Sequence, residues 1–254
     1  MNNNIGFIIQ ARTSSTRFPN KVILPFYQNM NILEIIINKL KQNFNYPIVV
    51  ATSTNPSDLK IREIAENAGT QIFHGDENDV LNRFIEASET FKMDQIIRIC
   101  ADNPFLDISL LKEILSYTYE DFDYIAQSVF GIPSMKTHYG IWCEYIKVEA
   151  LKKVEQLTNL SLYREHVTNY IYSNPSIFKI KLINADYIAN KLNNIRLTVD
   201  TKSDFVAASY IFRQLFDMNP EFNFEDISMY FESHKIELEG IKKQMLFEIN
   251  KNIK

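Results

Sequence analysis

Three cations and four hydroxyls fall within ten residues at Arg12-Thr13-Ser14-Ser15-Thr16-Arg17-Phe18-Pro19-Asn20-Lys21, with no acidic residue among them. Arg and Lys supply charge, while hydroxyls and backbone N–H groups supply directed donors, which together suit a polyphosphate. Two further segments share one form, an apolar run followed directly by an aspartate: Arg98-Ile99-Cys100-Ala101-Asp102 and Arg196-Leu197-Thr198-Val199-Asp200. If both runs are strands of one sheet, Asp102 and Asp200 would share a divalent cation. Mg²⁺ is the natural choice, because it takes one or two carboxylates and completes its shell with water and substrate phosphates. Pro104 forces a turn just after Asp102.

Other reactive groups have less support. Cys100 has no adjacent base, so thiol nucleophilic chemistry is not expected. The four histidines and two cysteines show no zinc spacing. His138 is a candidate for a sugar hydroxyl or carboxylate, and His74 and His234 read as structural.

The elements that must position these groups alternate in type. Strands are expected at Ile5–Gln10, Pro47–Thr52, Thr70–His74 and Gln95–Cys100, separated by helices at Ile32–Gln42, from Asn55 to about Asn67, and at Asn78–Phe91. Asn55 caps the second helix with Pro56 at its first position, and Gly69 ends it. A helix over Pro104–Tyr119 follows. Strand–helix alternation with short links predicts an α/β fold with a mostly parallel sheet and helices on both faces. Ligands bind beyond the carboxyl ends of such strands, where Ala11–Lys21, Thr52–Thr54, Gly75–Asp79 and Ala101–Pro104 all fall.

The second half is less regular. Strands are expected at Tyr124–Val129, Gly140–Val148, Phe178–Ile183 and Ile195–Val199, with helices over Tyr163–Tyr172 and from Asp200 to about Phe216. The segment from Phe224 reads as helical, with apolar spacing at Ile236, Leu238, Ile241, Met245, Leu246 and Ile249. With no linker or repeat, 1–254 reads as one domain: a nucleotide- or phosphate-binding half over 1–120, an elaborated half over 121–222 and a helical tail over 223–254.

The chain of 254 residues carries a net charge of −4, which argues against general nucleic-acid binding. No apolar run approaches a membrane span, and the N-terminal residues lack the pattern of a signal peptide. Two cysteines far apart in sequence read as reduced thiols. A cytoplasmic protein without membrane or nucleic-acid partners is the expectation.

The motifs I-I-Q-A-R-x-x-S-T-R-x-P-x-K, V-V-A-T, H-G-D-E-N-D-V-L-N-R, I-R-I-C-A-D-N-P, R-E-H-V-T and R-L-T-V-D-T-x-x-D occur in this order between Ile5 and about Phe212. The set resembles the cytidylyltransferase family, in the branch of spore-coat polysaccharide synthesis that is related to enzymes activating 3-deoxy-manno-octulosonate and other acidic sugars. The resemblance implies a Rossmann-like nucleotidyltransferase fold, CTP as the nucleotide, Mg²⁺, and release of pyrophosphate. It implies that Arg12, Arg17 and Lys21 bind the triphosphate, with Gln10 and Ala11 in the same motif. It puts Ala51 and Thr52 near the base, with Asp76, Asp79 and Arg83 on the next loop and helix. Asp102 and Asp200 match metal-ligand positions, giving Arg12, Lys21, Asp102 and Asp200 catalytic parts. Glu165 and His166 match a motif near the acceptor, a region shared with His138, Trp142 and Glu144.

Three positions depart from the branch. Ser14 stands where glycine is common. Asn20 also replaces a glycine, and is the residue that best tolerates a left-handed backbone. Trp142 replaces an aspartate of a G-x-D-x-E pattern, which leaves the acceptor open. The resemblance also implies a possible homodimer, for which the 224–254 tail is the candidate interface. The alternatives are a glycosyltransferase-like enzyme using a nucleotide sugar and a non-catalytic nucleotide-binding protein.

Overall fold

The computed structural model describes residues 4–192 and 195–234. In chain order the elements are β1 (Ile5–Gln10), β2 (Pro25–Tyr27), β3 (Met30–Asn31), α1 (Ile32–Asn43), β4 (Ile48–Ser53), α2 (Leu59–Asn67), β5 (Gln71–Gly75), α3 (Val80–Thr90), β6 (Gln95–Cys100) and α4 (Ile108–Leu115). They continue with β7 (Tyr124–Val129), β8 (Ile132–Pro133), β9 (Glu144–Lys147), α5 (Val148–Leu157), α6 (Ser161–Glu165), α7 (Asn169–Ser173), β10 (Ile180–Asn184), α8 (Asp186–Leu192), α9 (Lys202–Met218) and α10 (Phe224–Ser233).

The central sheet runs β10-β7-β9-β6-β1-β4-β5, with β8 paired to β7. The pairs β6/β1, β1/β4, β4/β5 and β10/β7 are parallel, and β9 lies antiparallel between β6 and β7. Side chains alternate across each strand. Phe7 and Ile9 of β1 therefore enter one core with Ile36 of α1 and Phe212 of α9, whereas Ile8 enters a second core with Phe84 of α3 and Leu151 of α5. Burial on both faces explains why these strands read as continuous apolar runs. The mostly parallel α/β sheet with helices on both faces is the fold expected from the sequence. No helix among the described residues is long and apolar enough to cross a membrane.

Four sequence expectations need correction. Helix α4 begins at Ile108 rather than Pro104, because the Asp107 carboxylate caps the Ser109 and Leu110 N–H groups and sets the start there. The strand expected over Gly140–Val148 contracts to Glu144–Lys147: Gly140 takes φ +64°, and Ile141 spends its carbonyl on the Asp107 N–H. The helix over Tyr163–Tyr172 breaks into α6 and α7, where Val167 and Thr168 are drawn into the interior and Thr168 Oγ1 donates to buried Glu144 at 2.9 Å. Residues 195–199 form no strand. They lie outside the sheet, with the Leu197 N–H on His138 O and the Val199 N–H on Asp102 O, both at 3.0 Å. The apolar positions expected from Ile236 to Ile249 lie outside the described residues.

Candidate active site

Because β1, β4, β5 and β6 are parallel, the loops that follow them gather at one edge of the sheet. The loop after β1 folds back on itself, with the Asn20 N–H on Thr13 O at 2.9 Å and Asn20 at φ +63°, the left-handed conformation that asparagine tolerates. It is pinned to the end of β4 by Asp58, a fully buried carboxylate. Oδ1 of Asp58 accepts from Thr13 N at 2.8 Å and Thr13 Oγ1 at 2.6 Å. Oδ2 accepts from Thr52 Oγ1 at 2.9 Å, Ser53 N at 3.2 Å and Ser53 Oγ at 2.5 Å. Burial alone would raise this carboxyl, but the bonds from Ser53, Thr13 and Thr52 hold it below its ordinary value.

Lys21 lies at the centre of the site. Its Nζ donates to Val199 O at 2.6 Å and approaches Asp102 Oδ2 at 3.0 Å and Asp200 Oδ1 at 3.6 Å. Asp200 also pairs with Arg17 Nη2 at 2.6 Å and with Arg196. Arg196 Nε lies 3.5 Å from Asp204, whose carboxylate accepts from the Asp200 and Thr201 N–H groups at the start of α9. Asp102 and Asp200 thus meet as the sequence suggested, but Asp200 arrives on the extended 195–199 segment and not on a sheet strand.

Two cavities open here, and they share Arg17, Cys100, Asp102 and Asp200. The smaller, about 170 Å³, is also lined by Gln10, Arg12 and Lys21. The larger, about 580 Å³, adds Arg98, Lys136, His138, Trp142, His166, Thr168, Tyr172 and Arg196. The Trp142 ring is buried in its wall, with Nε1 donating to Thr137 Oγ1 at 2.9 Å. Burial pushes the Cys100 thiol up to about 11, against the lowering pull of Arg98, so it stays protonated at neutral pH.

Ala51 and seven other expected site residues line neither cavity. Ala11 is buried, and its N–H donates to Ala51 O at 3.2 Å. Thr52 is spent on Asp58, and Glu144 is buried beneath the larger cavity. Asp76 turns its own loop by accepting from the Asn78 and Asp79 N–H groups, while Asp79 caps α3 and lies 3.3 Å from Arg164. Glu165 reaches Arg12 at 3.6 Å, on the side of the smaller cavity. Arg83 is fully buried against Gly75 and donates Nη1 to Asp76 O at 2.9 Å, leaving Nε and Nη2 without partners. Burial, together with the charge of Arg12, lowers it to about 10.

Asp58, Arg98 and Arg196 were missed by sequence reasoning. Arg196 and Asp204 carried a signal, since both stand four residues from Asp200. Asp58 read only as part of a helix start.

The donor set fits a divalent cation of the hard type: two carboxylates converge within reach of one ammonium beside a cationic loop. Among the described residues no group of three or more metal-ligating side chains forms. That is compatible with an ion completing its shell from water and phosphate.

The cytidylyltransferase family profile matches residues 6–253. The chain belongs to the cytidylyltransferase family. It is 31% identical over 220 residues to the spore coat polysaccharide biosynthesis protein SpsF of Bacillus subtilis, covering 84% of this chain and 88% of that one. It is 38% identical over 201 residues to an uncharacterized protein of Methanocaldococcus jannaschii, covering 78% and 79%. A cytidylyltransferase structure from Leptospira borgpetersenii superposes with TM-score 0.77 at 25% identity, covering 91% of this chain and 95% of that one. A CMP-2-keto-3-deoxy-manno-octonic acid synthetase complexed with CTP shares the fold at TM-score 0.63 and 14% identity, covering 83% and 98%. This cytidylyltransferase is therefore a nucleotidyltransferase enzyme with the α/β architecture of its relatives.

Proposed function

We propose that this cytidylyltransferase joins CTP, with Mg²⁺, to a sugar, sugar acid or small phosphorylated acceptor and releases pyrophosphate, serving synthesis of a surface polysaccharide or glycan. The observation that carries the reading is the meeting of Asp102 and Asp200 on Lys21 where the two cavities join. The likeness to SpsF, named for spore coat polysaccharide biosynthesis, supports the pathway class. The synthetase structure with bound CTP supports the nucleotide.

In this reading the smaller cavity takes the triphosphate and the larger takes the acceptor. Arg12, Arg17 and Lys21 neutralise the phosphates and hold the α-phosphorus beside the acceptor oxygen. The new bond joins that oxygen to the α-phosphorus, and the bond to the β-phosphate bridging oxygen breaks, so pyrophosphate leaves with the electron pair. A divalent cation held by Asp102 and Asp200 would supply charge stabilisation at the α-phosphate. A phosphate monoester attacks as an anion and needs no base. A sugar hydroxyl must lose a proton, and the carboxylates of the shared wall stand nearest the junction.

The test is pyrophosphate release with Mg²⁺, using the four nucleoside triphosphates against sugar acids and sugar phosphates. Turnover with CTP and one acceptor, lost in Asp102→Asn, is the expected result. Consumption of a ready-made nucleotide sugar instead, or tight nucleotide binding with no turnover across the panel, would overturn the reading. The homodimer is a separate proposal, checked by comparing the sedimentation of the full chain with that of one ending at residue 223.

A further inference from the structure

Gln10 and Arg98 sit on the neighbouring parallel strands β1 and β6, where the two cavities meet. Nε and Nη2 of Arg98 donate to Gln10 Oε1 at 3.2 and 2.9 Å. A guanidinium carries donors only, so the Gln10 atom facing it is the carbonyl oxygen and not the amide nitrogen. Arg98 is held in turn by Glu144, its cross-strand partner on β9, through Nη1. Glu144 is fully buried, and its other oxygen accepts from Tyr124 OH and from Thr168 Oγ1. A buried carboxylate with this many donors cannot turn away, so the guanidinium plane is fixed from behind. The series Glu144–Arg98–Gln10 runs from the core to the wall of the smaller cavity.

We infer that Arg98, locked by Glu144, is a positioning residue that fixes the Gln10 amide with Nε2 directed into the smaller cavity, toward a phosphate oxygen of the nucleotide. The inference rests on the reading of that cavity as the phosphate site. A glutamine without such a partner presents its oxygen or its nitrogen with similar ease, and the oxygen repels phosphate. Arg98 removes that orientation before the nucleotide arrives and lowers the ordering cost of binding. Arg12, Arg17 and Lys21 attract the polyphosphate through charge, and the Gln10 amide adds a donor of defined direction.

The test titrates CTP with Mg²⁺ into the full chain and records thermal melting alongside. Gln10→Glu keeps both bonds to Arg98 and the side-chain shape, but puts a carboxylate oxygen where Nε2 stands. It is expected to melt no lower than wild type and to lose about tenfold or more in CTP affinity. Arg98→Met is expected to weaken CTP binding several-fold in the wild-type background and not at all in a Gln10→Ala background, because its effect passes through Gln10. A merely structural Arg98 would lower the melting temperature and leave the affinity of the folded molecules unchanged. Arg98→Met strips Glu144 of its cation and is the variant at risk of not folding. Gln10→Glu preserves that pair and can overturn the assignment by itself, while the Arg98→Met and Gln10→Ala cycle assigns the effect to Arg98. A folded Gln10→Glu protein that binds CTP within about twofold of wild type overturns the assignment. A wild-type chain that binds no nucleoside triphosphate overturns the phosphate-site reading, and the assignment with it.

Discussion

Asp200 accepts three cations, Arg17, Lys21 and Arg196, and these come from chain segments almost two hundred residues apart. The carboxylate ties these three cations together at the junction of the two cavities. Lys21→Ala is expected to lower kcat for pyrophosphate release by on the order of 10²- to 10³-fold, the usual effect of removing one donor to developing charge. Asp58 acts at one remove. Asp58→Ala leaves the Thr13 and Ser53 N–H groups unpaired, each costing about 1–3 kcal/mol, and frees the cationic loop. Denaturant unfolding should show that loss together with weaker CTP binding. Asp58 also gives stability a pH dependence. Its folded pKa lies below the ordinary 3.8, so its contribution is present above that value and lost as pH falls through the folded pKa. Thermal melting followed from pH 6 to pH 2.5 should decline less steeply in Asp58→Asn than in wild type. Asp102 was legible because charge beside a strand end is a local signal, Lys21 because it belongs to a cluster of cations, and Asp200 because it follows an apolar run, although that run forms no strand. Arg98 was not, because Gln10 and Glu144 lie 88 and 46 positions away, and Asp58 was not, because the Thr13 it holds lies 45 positions away.

The segment 195–200 depends on backbone contacts for its place. It crosses Gly140 so closely that a Cβ there would lie 2.7 Å from Thr198 N and 2.8 Å from the Leu197 carbonyl carbon, and Gly140 itself is at φ +64°. Gly140→Ala is therefore expected to push Asp200 off Lys21, cutting turnover and stability together, with a cost of at least about 1–2 kcal/mol from the backbone alone. Asn20 tests the opposite case. Asn20→Gly should be tolerated at φ +63°, whereas Asn20→Val should lose about 1–2 kcal/mol by denaturant unfolding and weaken CTP binding. The first four sheet strands could be read from the sequence because each is a short apolar run bounded by turn residues. The extended run 195–199 has the same pattern but no free sheet edge beside it: β6 is flanked by β1 and β9, so this segment bonds to loops instead. Helix α6 stops at Glu165 for a tertiary reason too, since Thr168 serves Glu144.

Across the whole molecule, two apolar cores hold the sheet and no buried metal cluster forms among the described residues. A chelator is therefore expected to abolish pyrophosphate release and leave far-UV circular dichroism and the melting temperature unchanged, with Mg²⁺ restoring activity. Loss of structure on chelation would make the metal part of the fold. Likewise Phe212→Ala, at the centre of an aromatic group with Phe26, Phe105 and Phe222, should cost about 3–5 kcal/mol with little direct effect on the cleft. The sequence by itself determined the alternating α/β architecture, the family and the cationic loop, because hydrophobic period, turn residues and clustered charge act over a few residues. Only the tertiary structure decided that Asp200 joins Asp102 at Lys21 from outside the sheet, that Glu144 serves Arg98 from beneath the cavity, and that Asp58 pins the cationic loop. Each of those arrangements joins residues tens of positions apart, and the burial and pairing that select them exist only once the chain has packed.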